Sequence, residues 1–428
     1  MALLPSGNLG DDNSGFPSDK DSLNLAMERG KSWSDDGYEL NRRGTGVFHP
    51  HIKLTDIVDK ENNHIPIDRI LPDDLQEKII ASLPLECILK ASCVCKKWNE
   101  IVHSKKFMLN ISNALAQKPW YFMFTSSDEP IGYFYDPLLS KWYSSELPCS
   151  VKHNYYIASS CGLVCFMDNY SRNELYVCNP LTRNYKKLEL LGQPFLGYTA
   201  LAFSVDWPSH SYTVAIVGSE HVFDDEWAIS IHIYTSNKMI WLSPMKKTLT
   251  RWRAGYDSII CDGVLYVLVY YTGTDETEDH HALLTYNLYT PSFQDMSIST
   301  RVPVPCFVTC GRLLNLDDKL VMVGGIGRQD RPGIIKGICI WVLKGRELEE
   351  VSRVPYKLFQ GFGEIDDVFA SSGAGDLIYV QSYGATALLV FDMTLRQWSW
   401  SRKCPVIKKF SLQLFSGFCF QPRLELSS

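Results

Sequence analysis

Apolar positions change their period near residue 120, and the change divides the chain in two. Before it, Leu75, Ile79 and Leu83 recur in steps of four, and Val94, Trp98, Ile101 and Val102 follow in steps of four, three and one, so each set shares one face of a helix. Pro72 suits the first position of the first helix, where a missing N–H costs nothing. Asp73 and Asp74 then fall in its first turn, where negative charge suits the helix dipole. Pro84 stops that helix and starts a short one centred on Cys87 to Ala91. Ile67 to Phe107 therefore encodes three helices, too small a piece for an ample core of its own. Phe107 to Lys118, with Leu109, Ile111 and Leu115, reads as a helical connector that ends at Pro119. Residues 1 to about 60 carry no persistent apolar period and are rich in Ser, Asp, Gly and Asn, which predicts a disordered tail.

From Trp120 onward, short apolar or alternating runs are separated by turn residues, as in strands. Examples are Tyr121 to Phe124, Gly162 to Phe166, Tyr212 to Val217, Val264 to Tyr271, Lys319 to Gly325 and Leu377 to Tyr383. A repeat lies over them, in which a polar turn residue is followed within about six positions by an aromatic. The pairs are Asp136 with Trp142, Asn179 with Tyr185, Ser236-Asn237 with Trp241, Asn287 with Phe293, and Asp392 with Trp398. Successive units lie about 43 to 56 residues apart. That spacing resembles kelch-type propeller blades, although the Gly-Gly doublet of that repeat occurs in strand context once, at Gly324-Gly325. A single four-stranded blade cannot bury both of its faces, whereas a closed ring of blades can. The expected fold is an all-β kelch-type β-propeller of about six blades, in which Phe415 to Phe420 returns to complete the first blade at Trp120 to Trp142. A pair of β-sandwiches with coincidental spacing is the competing architecture.

Composition changes this picture little. An apolar fraction of 45% is ordinary for a globular chain, and 22 Tyr, 20 Phe and 11 Trp favour strands. A net charge of −6 provides no broad basic field, so neither nucleic acid nor an anionic membrane is expected as a partner. The 13 cysteines are scattered without a Cys-x-x-Cys pair or zinc spacing, as reduced thiols would be. The amino terminus shows no secretory pattern and no apolar run has membrane-spanning length, so a soluble nuclear or cytoplasmic protein is expected.

The helical stretch resembles an F-box. The motifs are Leu71-Pro72-Asp73-Asp74, Leu83-Pro84-Leu85 and Val94-Cys95-Lys96-Lys97-Trp98, in that family's order and spacing. With the strand repeat, the whole chain resembles a plant F-box/kelch-repeat protein, divided as tail 1–62, F-box 63–107, connector 108–119 and propeller 120–425. The resemblance implies that the F-box docks a Skp-type adaptor, and through it the cullin and RING subunits of a ubiquitin ligase. It carries the adaptor contacts onto Leu71, Pro72, Leu75, Ile79, Leu83, Val94, Lys97 and Trp98. It also implies a substrate-recognition subunit that brings an unidentified protein to the conjugating machinery and catalyses nothing itself.

Candidate chemistry in the residues is sparse. His280-His281, after Glu276, Glu278 and Asp279, superficially resembles a metal cluster but lacks ligand spacing on a rigid element. No nucleophile elbow, phosphate loop or His-Glu-x-x-His occurs, and no cofactor or metal is expected. The alternative function is a propeller enzyme or small-ligand binder with an accessory helical domain. Candidate target-binding loops are those rich in Trp and Arg: Trp227 beside Asp224-Asp225, then Arg251-Trp252-Arg253, and Arg328 with Arg331.

Overall fold

A computed structural model describes residues 46–47, 71–113, 117–125, 131–146, 155–168, 174–189, 197–273, 280–289, 302–305, 308–327, 335–362, 369–406 and 414–426. A two-residue strand, β1 (Gly46–Val47), lies within the stretch expected to be tail. Four helices follow: α1 (Asp73–Ala81), α2 (Leu85–Ala91), α3 (Lys96–Val102) and α4 (Lys105–Asn113). Pro72 sits one position earlier than expected, and Pro72 and Pro84 cap α1 and α2 with extended backbone. The Pro72 carbonyl accepts from the N–H of Leu75 at 3.0 Å and of Gln76 at 3.1 Å, so the proline starts the helix without supplying a donor. Helix α4 begins inside the stretch assigned to the F-box and continues into the expected connector. Its Phe107 is fully buried with Ile80, Ile88 and Val102, so it belongs to the helical core and is no free spacer.

The strands form five sheets. The first has the order β1-β4-β3-β2-β25, from β2 (Trp120–Thr125), β3 (Ile131–Asp136), β4 (Lys141–Glu146) and the C-terminal β25 (Phe415–Phe420). The second contains β5 (Tyr155–Ser160), β6 (Leu163–Asp168), β7 (Glu174–Cys178) and β8 (Tyr185–Glu189). An eight-stranded sheet comprises β9 (Tyr198–Asp206), β10 (Ser211–Phe223), β11 (Glu226–Thr235), β12 (Ile240–Thr250), β13 (Trp252–Cys261), β14 (Val264–Tyr271), β15 (His281–Asn287) and β16 (Val302–Pro303). It is two antiparallel groups of four, joined only where β9 and β13 run parallel at Leu201 and Asp257. The fourth sheet is β17 (Val308–Leu316), β18 (Lys319–Ile326), β19 (Gly337–Lys344) and β20 (Glu347–Arg353). A short helix, α5 (Tyr356–Phe362), precedes the fifth: β21 (Phe369–Ala374), β22 (Leu377–Ser382), β23 (Leu389–Asp392) and β24 (Gln397–Trp400).

These sheets form a β-propeller. The inner strands neighbour one another around a circuit: β5 lies beside β9, β9 beside β13, β13 beside β17, β17 beside β21, β21 beside β25, and β25 beside β5. Where about six separate blades were expected, two groups of four share one sheet, so five sheets make the circuit. The circuit closes through β25, which pairs with β2 from Phe415–Thr125 to Phe420–Trp120. Apolar side chains fill the space between neighbouring sheets. One such layer, for example, packs Phe122, Phe134 and Trp120 of the first sheet with Val164 and Phe166 of the second. The Gly324-Gly325 doublet lies inside β18, opposite Gly311 and Cys310, and does not turn the chain out of the strand.

The repeat seen in the sequence has a physical purpose in this ring. Asp136, Asn179 and Asp392 each accept two backbone N–H groups in the turn before the fourth strand, at 2.8–3.2, 3.0–3.3 and 2.8–2.9 Å. Where the fourth strand carries a tryptophan, the indole reaches the preceding sheet or the loop that leaves it. The indole N–H of Trp142 donates to the Arg402 carbonyl at 2.8 Å, Trp241 to the Glu189 carbonyl at 2.7 Å, and Trp398 to the Ser352 hydroxyl at 2.9 Å. Trp398→Phe keeps a smaller aromatic ring and removes the donor. It should lower unfolding free energy by at least about 1 kcal/mol, read by denaturant titration against the unaltered chain.

Candidate functional site

The helical unit carries a helix whose apolar stripe faces outward. On α1, Gln76, Glu77, Ile80 and Ala81 are buried, whereas Leu75 is 46% and Ile79 is 49% exposed. The inversion is stable because the buried polar groups are satisfied. The Gln76 amide donates to the Leu71 carbonyl at 2.6 Å and accepts from the Trp98 indole N–H at 3.2 Å. Glu77 pairs with Lys106 at 3.1 Å and accepts from Asn110. Among the described residues, those bonds leave Pro72, Leu75 and Ile79 without a cover, and Val94, just before α3, is 66% exposed. Leu71 is half-buried. Of the other expected contacts, Leu83 and Trp98 are half-buried against the helical core, and Lys97 pairs with Asp73 at 2.7 Å.

This unit is docked on the propeller as well as tethered to it. Leu85 of α2 is buried among Trp120, Phe122 and Tyr143 of the first sheet. Beside it the Glu86 carboxylate accepts from the Tyr143 hydroxyl, and pairs with Lys90 at 2.5 Å and Lys141 at 3.5 Å. Further along, the Gln117 amide donates to the Leu83 carbonyl at 3.1 Å, and Lys118 pairs with Asp376 and Asp392. Burial works against the Glu86 charge, but the hydrogen bonds from Lys90 and Tyr143 outweigh it and hold this carboxyl below its ordinary value of 4.5. A depressed folded value stabilises above the ordinary value and is lost as pH falls through the folded one. Glu86→Gln should therefore melt lower than the unaltered chain at pH 7, by about 1–2 kcal/mol, and the gap should close below pH 4.5. Thermal melts of both chains across that range measure it.

Strand direction separates the two ends of the propeller. Antiparallel neighbours place successive hairpin turns at opposite ends. Asp376, in the β21–β22 turn, and Lys141, at the start of β4, lie at the end that meets the helical unit. The β10–β11 turn and the β12–β13 junction lie at the other, and with them Trp227, Arg251, Trp252 and Arg253. The structure treats these four differently. Arg251 pairs with Asp225 at 3.1 Å. Trp252 is 8% exposed and packs into the layer with Ala254 and Val269, so it has no face to offer a partner. Trp227 is half-buried between His221 and Tyr198, at 5.0 and 5.7 Å between ring centres. The Arg253 guanidinium lies 3.9 Å from the ring centre of Tyr198. Arg328 and Arg331 lie outside the described residues, as do Glu276, Glu278 and Asp279. Among the described residues no group of three His, Cys, Asp or Glu side chains could hold a metal ion, and no helix is long and apolar enough to cross a membrane.

Comparisons with known proteins meet this geometry at both ends. Residues 70–110 match the F-box domain family, and residues 135–308 match the family described as "F-box protein At3g26010-like, beta-propeller". The chain is 51% identical to the F-box/kelch-repeat protein At3g61590 of Arabidopsis thaliana over 374 residues, covering 84% of this chain and 90% of that one. The chain belongs to the F-box/kelch-repeat family. Two further Arabidopsis thaliana proteins are more distant: F-box only protein 6, 25% identical over 82% of this chain and 73% of its own, and SKP1-interacting partner 15, 25% identical over 84% and 98%. The F-box match spans all of α1 to α3 and most of α4, which places α4 within the helical unit, as its packing does.

Proposed function

We propose that this F-box/kelch-repeat chain is the substrate-recognition subunit of a Skp/cullin/F-box ubiquitin ligase. The observation that carries the reading is the inverted α1, which exposes Leu75 and Ile79 while burying Gln76 and Glu77. A helix with its apolar stripe outward is held ready for a partner surface. One relative bears the name SKP1-interacting partner 15, which supports a Skp-type adaptor as that partner. The adaptor would in turn bring the cullin and RING subunits. The remote end of the propeller would hold the target, whose lysines gain effective concentration near the activated ubiquitin. Catalysis belongs to the conjugating enzyme in this arrangement. Because α2 is wedged on the first sheet through Leu85 and Glu86, the distance from adaptor to target is fixed by packing as well as by the connector.

Finer features belong to the same proposal. We count six blades, one for each of the inner strands β5, β9, β13, β17, β21 and β25. Lys118 to Pro137, Ala158 to Asn169, Val323 to Gly345 and Lys408 to Glu425 resemble the Hawaiian Skirt member of the plant family. A nuclear or cytoplasmic site of action fits a ligase subunit. The test is direct: the purified chain should bind a purified Skp-type adaptor, and a folded chain that does not bind removes the ligase reading.

A further inference from the structure

A stack of rings and one cation crosses the remote end of the propeller. Arg253 of β13, Tyr270 of β14 and His281 of β15 stand directly opposite one another in the sheet register. The Arg253 guanidinium lies 3.9 Å from the Tyr198 ring centre and 5.1 Å from that of Tyr270, which in turn meets His281 at 4.8 Å. A β-bulge after Ala254 makes this possible. A Cβ on Gly255 would lie 2.1 Å from the Tyr270 ring, so only glycine leaves room for the tyrosine here. Aromatic faces attract a guanidinium and fix its plane, but they do not neutralise it.

Among the described residues this cation has no counter-charge. One terminal nitrogen of Arg253, Nη1, is buried without a hydrogen-bond partner, and among the described residues no carboxylate pairs with this side chain. The acid within the same bulge, Asp257, is committed to Arg312 at 2.7 Å. His281 Nδ1 is a second buried atom without a partner. Burial, His280 and the charge of Arg253 together push the His281 imidazole down to about 4, so the ring stays neutral at pH 7 and adds no competing cation. A buried donor left unpaired costs stability, and the exposed part of a half-buried guanidinium held between rings offers charge-assisted donors to an oxyanion.

We propose that this locus is the anchor for the target protein, taking an oxyanion on the target – the carboxylate of Asp or Glu, or a phosphate monoester – at Arg253. The proposal rests on the reading of the propeller as the target receptor and adds the chemistry of what it receives. The occupant is a segment of the target protein because the site lies at the end opposite the helical unit. It also lies beside an exposed apolar prong. Val222 and Phe223, at the tip of the β10–β11 hairpin, are 55% and 69% exposed. They connect to the locus through His221, Trp227 and Tyr198. The matching segment therefore carries an acidic residue with a large apolar residue close by, a form of acidic-motif recognition by arginine.

The test uses the full chain bound to its Skp-type adaptor, applied to an array of random dodecapeptides. Each sequence is printed with Gln, Glu, phosphoserine or Lys at its central position. Glu or phosphoserine spots should exceed their Gln counterparts at least tenfold, and the difference between those two arms identifies which oxyanion is preferred. Arg253→Gln should abolish that preference while retaining the melting curve and adaptor binding. Arg396→Gln, an exposed arginine in the β23–β24 turn at the other end, should retain the preference. Binding without charge preference, or a preference that survives Arg253→Gln, overturns the anchor and leaves the receptor reading standing. An array with no bound peptide, from a chain that still binds adaptor, also overturns the anchor. Loss of adaptor binding in the unaltered chain is the separate failure of the ligase reading.

Discussion

Replacing Leu75 and Ile79 together by alanine should lower affinity for a Skp-type adaptor by about a hundredfold, with the melting temperature of the chain unchanged. Both side chains are close to half exposed, so they add little to the fold and have much apolar area left to bury. Covering that area on a partner and then truncating it removes about 3 kcal/mol for the pair. Ile80 is the internal contrast. It is 1% exposed and packs with Ile88, Val102 and Phe107. Ile80→Ala opens a cavity in a small helical core at a cost of about 2–4 kcal/mol, and it should lose adaptor binding by melting the unit. Calorimetric titration beside a thermal melt distinguishes the two routes. Full adaptor affinity in a folded Leu75→Ala/Ile79→Ala chain would mean that the outward stripe serves some other contact.

That contrast also shows what could be read from the residues alone. The period through Leu75, Ile79 and Leu83 identifies a helix, and the motif around Leu71-Pro72 identifies its family resemblance. It does not say which face lies inward. Burial of Gln76 and Glu77 is decided by Trp98, Lys106 and Asn110, which reach α1 from 22 to 33 positions away in the chain. The same limit applies to the docking of Glu86 on Tyr143, whose partner lies on a different element 57 residues on.

In the propeller, the turn-and-aromatic pairs were legible because they recur, but their purpose was not. Trp241 finds its acceptor 52 residues back and Trp398 finds its own 46 back, each in the preceding sheet. Arg251, Trp252 and Arg253 look alike as an exposed cluster in the sequence. In an extended strand successive side chains point to opposite faces. Trp252 therefore enters one layer of the core while Arg253 emerges over Tyr198 and Tyr270, and Arg251 is taken by Asp225. Helix α5 was missed altogether. Its signals are Pro355 before it and the spacing of Phe359 and Phe362, both of which turn into the layer beneath β21.

A chain ending at Val406 should fail to unfold cooperatively, because it lacks the strand that closes the ring. Strand β25 contributes six paired positions to β2 and buries Phe415, Phe418 and Phe420 at 0, 2 and 1% exposure. Phe418 bridges two sheets, with ring centres 5.4 Å from both Phe122 and Phe166. Three buried phenylalanines stabilise by roughly 5–9 kcal/mol, as much as the whole net stability of many domains, about 5–15 kcal/mol. The loss is also topological. Without β25 the first sheet ends on an open β2 edge, and β21 and β5 lose the neighbour that lies between them. A peptide covering residues 412–426, added in trans, should restore a cooperative transition whose midpoint rises with peptide concentration. Gly417→Val is the milder form of the same test, since a Cβ there meets the Phe122 carbonyl oxygen at 2.4 Å and must push β25 away from β2. A truncated chain that still melted sharply near the temperature of the full one would show that the ring holds without its C-terminal strand. The paired register and the buried phenylalanines argue that it cannot, because no other described segment lies between β21 and β5 to take their place.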